Sequence, residues 1–277
     1  MKKSLLSYLK SPDCGSALTL SILESVGDDV ISGALEDREG RIYPISQGIP
    51  RLLSGSMLRE QHCEMDARDS QVTSYDKMPF LNLLGKVEIP MTARALGSTE
   101  SDIVLEAGCG TGRMSITLSK CAGTLICIDF SFKSLLVNQR KLAQAGIDNV
   151  HLIQADLCHL PFVDGVFSRV LSCQVLEHVP TEDSRKTAIQ ELARVGRPDC
   201  PLVLSAYKHS VFTKVFGSKQ GQHEGGIPYF RFTKPELRAV LETRFHVSGI
   251  TGKLMYIYLA ECKLRDSTAD AKSAVLL

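Results

Sequence analysis

Residues 104–112 read Val104-Leu105-Glu106-Ala107-Gly108-Cys109-Gly110-Thr111-Gly112. An apolar strand runs into a carboxylate, a turn with glycine at every second position follows, and a helix is expected to begin near Arg113. Glycine lets the backbone take positive φ and lets a ligand approach without meeting a Cβ. The helix start then offers free N–H groups and a positive dipole end to an anionic group. A dinucleotide fingerprint, G-x-G-x-x-G, needs a glycine at 113 counted from Gly108, or at 115 counted from Gly110. The chain has Arg113 and Ser115 there, so the pattern is E-x-G-x-G-x-G instead.

Outward from this loop, short apolar runs recur: Ile103-Val104-Leu105, Leu125-Ile126-Cys127-Ile128, Val150-His151-Leu152-Ile153, Val170-Leu171-Ser172 and Leu202-Val203-Leu204. Helical stretches separate them. Continuous apolar strands alternating with helices predict a parallel sheet covered on both faces. Phe245-His246-Val247 and Met255-Tyr256-Ile257-Tyr258 predict an antiparallel hairpin at its edge. Asp129 closes the second run at a spacing from the glycine loop where a carboxylate can accept both hydroxyls of a ribose. Gln154-Ala155-Asp156-Leu157 closes the third run.

These segments resemble motif I and the succeeding strand ends of class I S-adenosylmethionine-dependent methyltransferases (methyltransferase type 11-like), from Asp102 to roughly Lys263. The resemblance implies a Rossmann-like α/β fold, with a mostly parallel seven-stranded sheet and helices on both faces. It implies S-adenosyl-L-methionine as cofactor and in-line methyl transfer. By the same resemblance Glu106, Gly108, Gly110 and Gly112 form the donor loop, and Asp129 accepts from the ribose. Phe130 lies against the adenine, Asp156 accepts from the adenine amino group, and the N–H of Leu157 meets the ring. Backbone near Cys173 lines the methionine portion. Ser168 departs from the family, which often has Asp there.

A sulfonium donor carries its own leaving group, so orientation of the acceptor is the enzyme's main task. A general base is needed only if the acceptor loses a proton, and His178 is the candidate for that role. Stabilisation of a helix start by Glu177 and His178 is the competing reading. Some quinone-pathway O-methyltransferases of similar sequence carry an E-x-x-E-H metal site; here it reads Gln174-x-x-Glu177-His178. Loss of the first carboxylate predicts that no metal is bound. An insertion between Tyr207 and Arg238, rich in Gly, Lys and His, is expected to form a mobile lid that selects the acceptor. Tyr75, Gln174, Tyr207, Tyr229 and Arg231 are the acceptor-side candidates, and lid cations such as Lys208 and Lys219 suit an anionic substrate or a solvated loop equally.

Residues 1–55 read as a small β-rich unit. Ser11-Pro12-Asp13-Cys14 and Tyr43-Pro44-Ile45…Gly48-Ile49-Pro50 resemble a zinc-ribbon-like family that includes an activator subunit of tRNA and protein methyltransferases. A closed zinc site needs four ligands. Ser11 replaces the first cysteine and one thiolate remains, so a metal-free unit is expected. Residues 56–264 form the methyltransferase domain, with a helical lead-in over 56–100, broken by Pro79 and Pro90, and a core over 101–264. Residues 265–277 are expected to be a disordered tail.

Lys and Arg number 32 against 31 Asp and Glu, a balance that argues against a dedicated nucleic-acid binder. The nine cysteines contain no C-x-x-C pair, and no apolar run approaches the ~20 residues of a membrane span. A reduced, cytoplasmic protein acting on a small-molecule acceptor is expected, with no membrane partner. The alternatives are an RNA methyltransferase, favoured by the N-terminal unit and the lid, and a non-catalytic donor-binding protein.

Overall fold

The computed structural model describes residues 1–56, 65, 67–70, 72, 79–210, 218–223, 226–252 and 256–265. Of the expected tail only Arg265 is described, its Nε donating to Phe245 O at 3.1 Å; residues 266–277, Tyr75 and the lid residues Lys214, Gly217 and Gly225 lie outside these. Four N-terminal strands come first: β1 (Thr19–Val26), β2 (Asp29–Glu36), β3 (Ile42–Ser46) and β4 (Ile49–Leu52). Helix α1 (Pro79–Leu96) leads into β5 (Ile103–Ala107), the short α2 (Ser115–Ser119), β6 (Thr124–Asp129), α3 (Phe132–Gln144) and β7 (Val150–Ala155). Then follow β8 (Arg169–Cys173), a 3-10 turn (Leu176–His178), α4 (Glu182–Val195) and β9 (Pro201–Tyr207). The small hairpin β10 (Gln220–Gln222) and β11 (Pro228–Phe230) precedes α5 (Lys234–Leu241), β12 (Phe245–Thr251) and β13 (Ile257–Leu264).

The sheet runs β1-β2-β3-β4-β7-β6-β5-β8-β9-β13-β12. Its part from β7 to β12 is the expected seven-stranded unit: β7, β6, β5, β8 and β9 are parallel, and β13 and β12 close the edge antiparallel. Alternate residues of one strand serve opposite faces, as a period of two requires. Leu105, Ile126 and Ile153 enter one apolar cluster, while Val104, Leu125 and Leu152 enter the other. Strand order reverses on either side of β5, which is the switch point where ligands bind in open α/β sheets.

Sequence-coded caps set the helix starts. The Ser131 hydroxyl accepts from Ser134 N to open α3, and Thr181 does the same for α4. Thr233 and Glu236 form a capping box on α5. Two expectations change. Pro79 opens α1, where a missing N–H costs nothing, but Pro90 lies inside the helix without ending it. The helix expected near Arg113 begins at Ser115 and lasts five residues. Its dipole is correspondingly small, and the glycine turn must act through its own geometry.

The N-terminal strands join the main sheet rather than standing off it. Arg51 and Leu52 of β4 pair in parallel with Gln154 and Ala155 of β7. In the turn that carries Ser11 and Cys14, hydrogen bonds link the polar groups. Asp37 accepts from the Ser11 hydroxyl at 2.8 Å and the Cys14 thiol at 3.4 Å, and Tyr43 donates to Asp13 at 2.7 Å. Burial alone would raise the Asp37 pKa, but these bonds and the backbone N–H groups of Arg41 and Glu39 bring it to about 2. No cluster of three metal-ligating side chains occurs among the described residues.

Candidate active site

The glycine turn is bound down from below. Gly108 N and Cys109 N both donate to Ile128 O, at 2.8 and 2.9 Å, tying β5's end to β6. Gly108, Gly110 and Gly112 have φ of +82°, +53° and +85°, which side chains other than glycine's rarely adopt. Sterics separate their roles. A Cβ on Gly108 would lie 2.2 Å from Val175 Cγ2, and one on Gly112 would lie 2.1 Å from Asn138 Oδ1. A Cβ on Gly110 would meet nothing within 4 Å. Gly110 therefore faces open space, while its neighbours are glycine because the fold fills the room beside them.

Two buried acids frame this turn. Glu106 Oε2 accepts from Ser115 Oγ at 2.7 Å and Cys127 Sγ at 3.3 Å, and burial pushes its pKa to about 7. Asp129 Oδ2 accepts from Gly110 N at 2.8 Å, and Oδ1 accepts from Ser131 N at 2.9 Å. Burial raises the Asp129 pKa, with these N–H groups and Arg68 pulling the other way.

Glu106, Gly108, Gly110, Asp129, Phe130, Leu157, Cys173, Gln174 and His178 all line one open-mouthed cavity of about 130 Å³. These nine positions, spread over four strand ends, are brought together by the switch point. Gly112 stands behind the wall through Thr111, and Asp156 does not line the cavity. Its carboxylate instead accepts from Cys158 N at 3.1 Å and pairs with His159 Nδ1 at 3.1 Å, a turn that leaves its neighbours Ala155 and Leu157 on the cavity wall. Sequence reading missed Arg68, Val72, Arg113, Met114 and Ser134 on the same wall. Arg68 was hidden in the charged run Asp66-Ala67-Arg68-Asp69, which reads as a solvated helix face.

Gln174 holds a φ of +57°, and its side chain donates to Glu88 Oε1 at 2.7 Å. Glu88, fully buried on α1, also pairs with Arg113 at 2.6 Å. The lead-in helix thus fixes the turn after β8. His178 Nδ1 lies 2.8 Å from Pro228 O, so that nitrogen carries the proton and Nε2 is the acceptor. Burial first, and Arg68 next, hold the ring well below its ordinary pKa and hence neutral. Tyr207, Tyr229 and Arg231 lie beyond the cavity wall. Tyr207 meets the His178 ring edge-on at 5.5 Å, and Tyr229 and Arg231 belong to the β10–β11 hairpin and its exit.

A strand-end glycine turn and acid at the switch point of a β7-β6-β5-β8-β9-β13-β12 sheet define a nucleoside-binding α/β protein. Residues 104–199 match the family model of a methyltransferase domain. A protein of Encephalitozoon cuniculi named as a methyltransferase is 31% identical over 185 residues, covering 66% of this chain and 81% of that protein. The demethylmenaquinone methyltransferase of Thermobifida fusca is 29% identical over 51% of this chain, and the match spans 59% of that enzyme's length. The 1,6-didemethyltoxoflavin-N1-methyltransferase of Burkholderia thailandensis, solved with S-adenosylhomocysteine, superposes with a TM-score of 0.61 at 14% identity. The match covers 89% of this chain and 99% of that one; at that identity the likeness concerns the fold. The chain belongs to the class I S-adenosylmethionine-dependent methyltransferases. Its methyl donor is S-adenosyl-L-methionine.

The residues present fit such a donor. A carboxylate has about four lone-pair sites, and Asp129 uses one on each oxygen for backbone N–H groups. The other two are left for a pair of hydroxyl donors. The Cβ-free side of Gly110 leaves space directly beside them.

Proposed function

We propose that this enzyme methylates a small-molecule acceptor, with the donor held by the glycine turn and Asp129. Asp129 accepts from the ribose hydroxyls, Phe130 and Leu157 enclose the adenine, and Cys173 with Gly108 borders the methionine portion. Glu106 keeps the turn in place from beneath through Ser115. Asp156 contributes by shaping the turn that presents the Leu157 N–H. Once bound, the donor supplies an electrophilic methyl carbon on a sulfonium sulfur that keeps the bonding electron pair. His178 then takes the acceptor proton on Nε2, its Nδ1–H fixed by Pro228 O.

The observation that carries this reading is the Gly110 N to Asp129 contact at 2.8 Å beside the open face of Gly110. The small-molecule acceptor is supported by the demethylmenaquinone and 1,6-didemethyltoxoflavin for which the Thermobifida and Burkholderia enzymes are named. The test is incubation of the full chain with methyl-labelled donor and separate pools of small metabolites and RNA. Label in the metabolite pool supports the proposal. Label confined to RNA would replace the acceptor class, and a chain that binds donor without transferring label would be a binding protein.

A further inference from the structure

Helix α1 sends a carboxylate to the site without exposing it there. Glu88 is wholly buried and does not line the cavity. Its Oε2 accepts from the Arg113 guanidinium at 2.6 Å, and its Oε1 accepts from Gln174 Nε2 at 2.7 Å. Both donors do line the cavity, and they come from different strands. Arg113 follows Gly112 after β5, and Gln174 follows Cys173 at the end of β8.

Each partner sits where the backbone needs a hold. Gln174 has a φ of +57°, a left-handed conformation that a residue with a side chain adopts only when its surroundings impose it. Its N–H donates to Ser205 O at 2.9 Å and its amide donates to Glu88, so main chain and side chain are both tied. The next residue, Val175, is the one that a Cβ on Gly108 would strike at 2.2 Å. The turn after β8 thus supports the start of the glycine turn. Arg113 comes at its other end, directly after Gly112 at φ +85°. Glycines leave the chain many conformations, and pairing Arg113 with a buried anion removes that freedom at the exit. The amide at 174 also fits this place as a carboxylate would not, because a glutamate there would set a like charge against Glu88.

From this arrangement we infer that Glu88 is a positioning residue for the methyl donor. One carboxylate holds the glycine turn at both ends, through Gln174 and Val175 at Gly108 and through Arg113 at Gly112. The inference rests on the reading of this turn as the donor site.

The test is calorimetric titration of S-adenosylhomocysteine into the full chain and three variants, Glu88→Gln, Gln174→Glu and the double exchange. Titrations are run at pH 8 with a chelator present, and a melting curve is taken for each protein. Gln174→Glu opposes two carboxylates and should lose at least about tenfold in affinity, the size of one hydrogen bond to a charged group. Glu88→Gln keeps the shape but strips Arg113 of its anion, and should lose about fivefold by the same measure. In the double exchange the new amide at 88 donates to the new carboxylate at 174, and its oxygen still accepts from Arg113. Affinity should then return to within about threefold of the parent, the signature of direct coupling. A role in packing alone predicts the opposite order, with the double exchange weaker than either single variant. If Gln174→Glu does not fold, the comparison of Glu88→Gln with the double exchange carries the test, and the double exchange should bind at least as well. Parent-like affinity in either single variant, or a double exchange that binds more weakly than Glu88→Gln, would overturn the inference. A parent chain that does not bind S-adenosylhomocysteine would overturn the donor reading as well, whereas a parent that binds beside indifferent variants overturns this inference alone.

Discussion

Glu177 stands one residue before His178, 1% exposed, with neither carboxylate oxygen meeting a hydrogen-bond partner. Burial raises its pKa from 4.5 to about 8. The folded chain therefore binds more protons than the unfolded one between those values, and stability falls as pH rises through that window. Glu177→Gln keeps the shape of the neutral acid and removes this slope. Its melting temperature should match the parent's near pH 5 and exceed it by several degrees at pH 8. A difference that does not change with pH would mean that Glu177 is ionised and partnered. The glycines allow a sharper contrast. Gly108→Ala meets both the left-handed φ and the Val175 methyl at 2.2 Å, so it should destabilise the whole fold. Gly110→Ala meets only the φ cost of roughly 1–2 kcal/mol. It should melt within a few degrees of the parent while losing donor affinity, and equal melting losses in the two variants would contradict that division. At this scale the sequence was legible where a residue type admits one geometry, as in the glycine turn and Asp129. It was not legible where two side chains compete for one partner. His159, three residues on, claims the Asp156 carboxylate, and no local pattern announces that.

The lid is the element whose composition left most open. Lys, Arg and His between Tyr207 and Arg238 suit an anion or a solvated loop equally, and the described cations Lys208, Lys219 and Arg231 bond to the carbonyls of Gly252 and Ser218, to Glu236 and to tyrosine rings. Charge is visible in a sequence, but pairing across a hairpin is not. Arg185 anchors the hairpin from below, donating to Val179 O at 2.9 Å and lying 4.5 Å from the Phe230 ring centre. Arg231→Ala would loosen the β10–β11 hairpin over His178 without touching the glycine turn. Turnover on whichever acceptor is found should fall, with donor affinity within about 1 kcal/mol of the parent. Equal losses in both quantities would place the lid over the donor instead. Helix α1 teaches the converse lesson. Its role at the site comes from Glu88 reaching Arg113 and Gln174, a contact more than twenty residues long in sequence that periodicity cannot reveal.

Across the whole molecule, the parallel central strands and the antiparallel edge were legible because apolar runs of strand length alternate with helices, whereas their order was not. The junction with the N-terminal strands was not, since a parallel pairing between β4 and β7 joins residues about a hundred apart. That pairing covers the edge of β7 and sets Arg51 Nε 2.7 Å from Gln154 Oε1, whose amide in turn donates to Phe130 O at 2.8 Å on the cavity wall. Removing residues 1–56 would bare the β7 edge, an invitation to association. The truncated chain should melt lower and sediment as larger species; a monomer of unchanged melting temperature would show that the N-terminal strands are dispensable to the sheet. The central claim is that the glycine turn and Asp129 hold the nucleoside of the donor. Calorimetric titration of S-adenosylhomocysteine into the full chain and its Asp129→Ala variant tests it most directly. Two charge-assisted hydrogen bonds at roughly 1.5–3 kcal/mol each predict a loss of at least tenfold in affinity, with the variant still folded by its melting curve. An unchanged affinity in a folded Asp129→Ala protein would contradict the account.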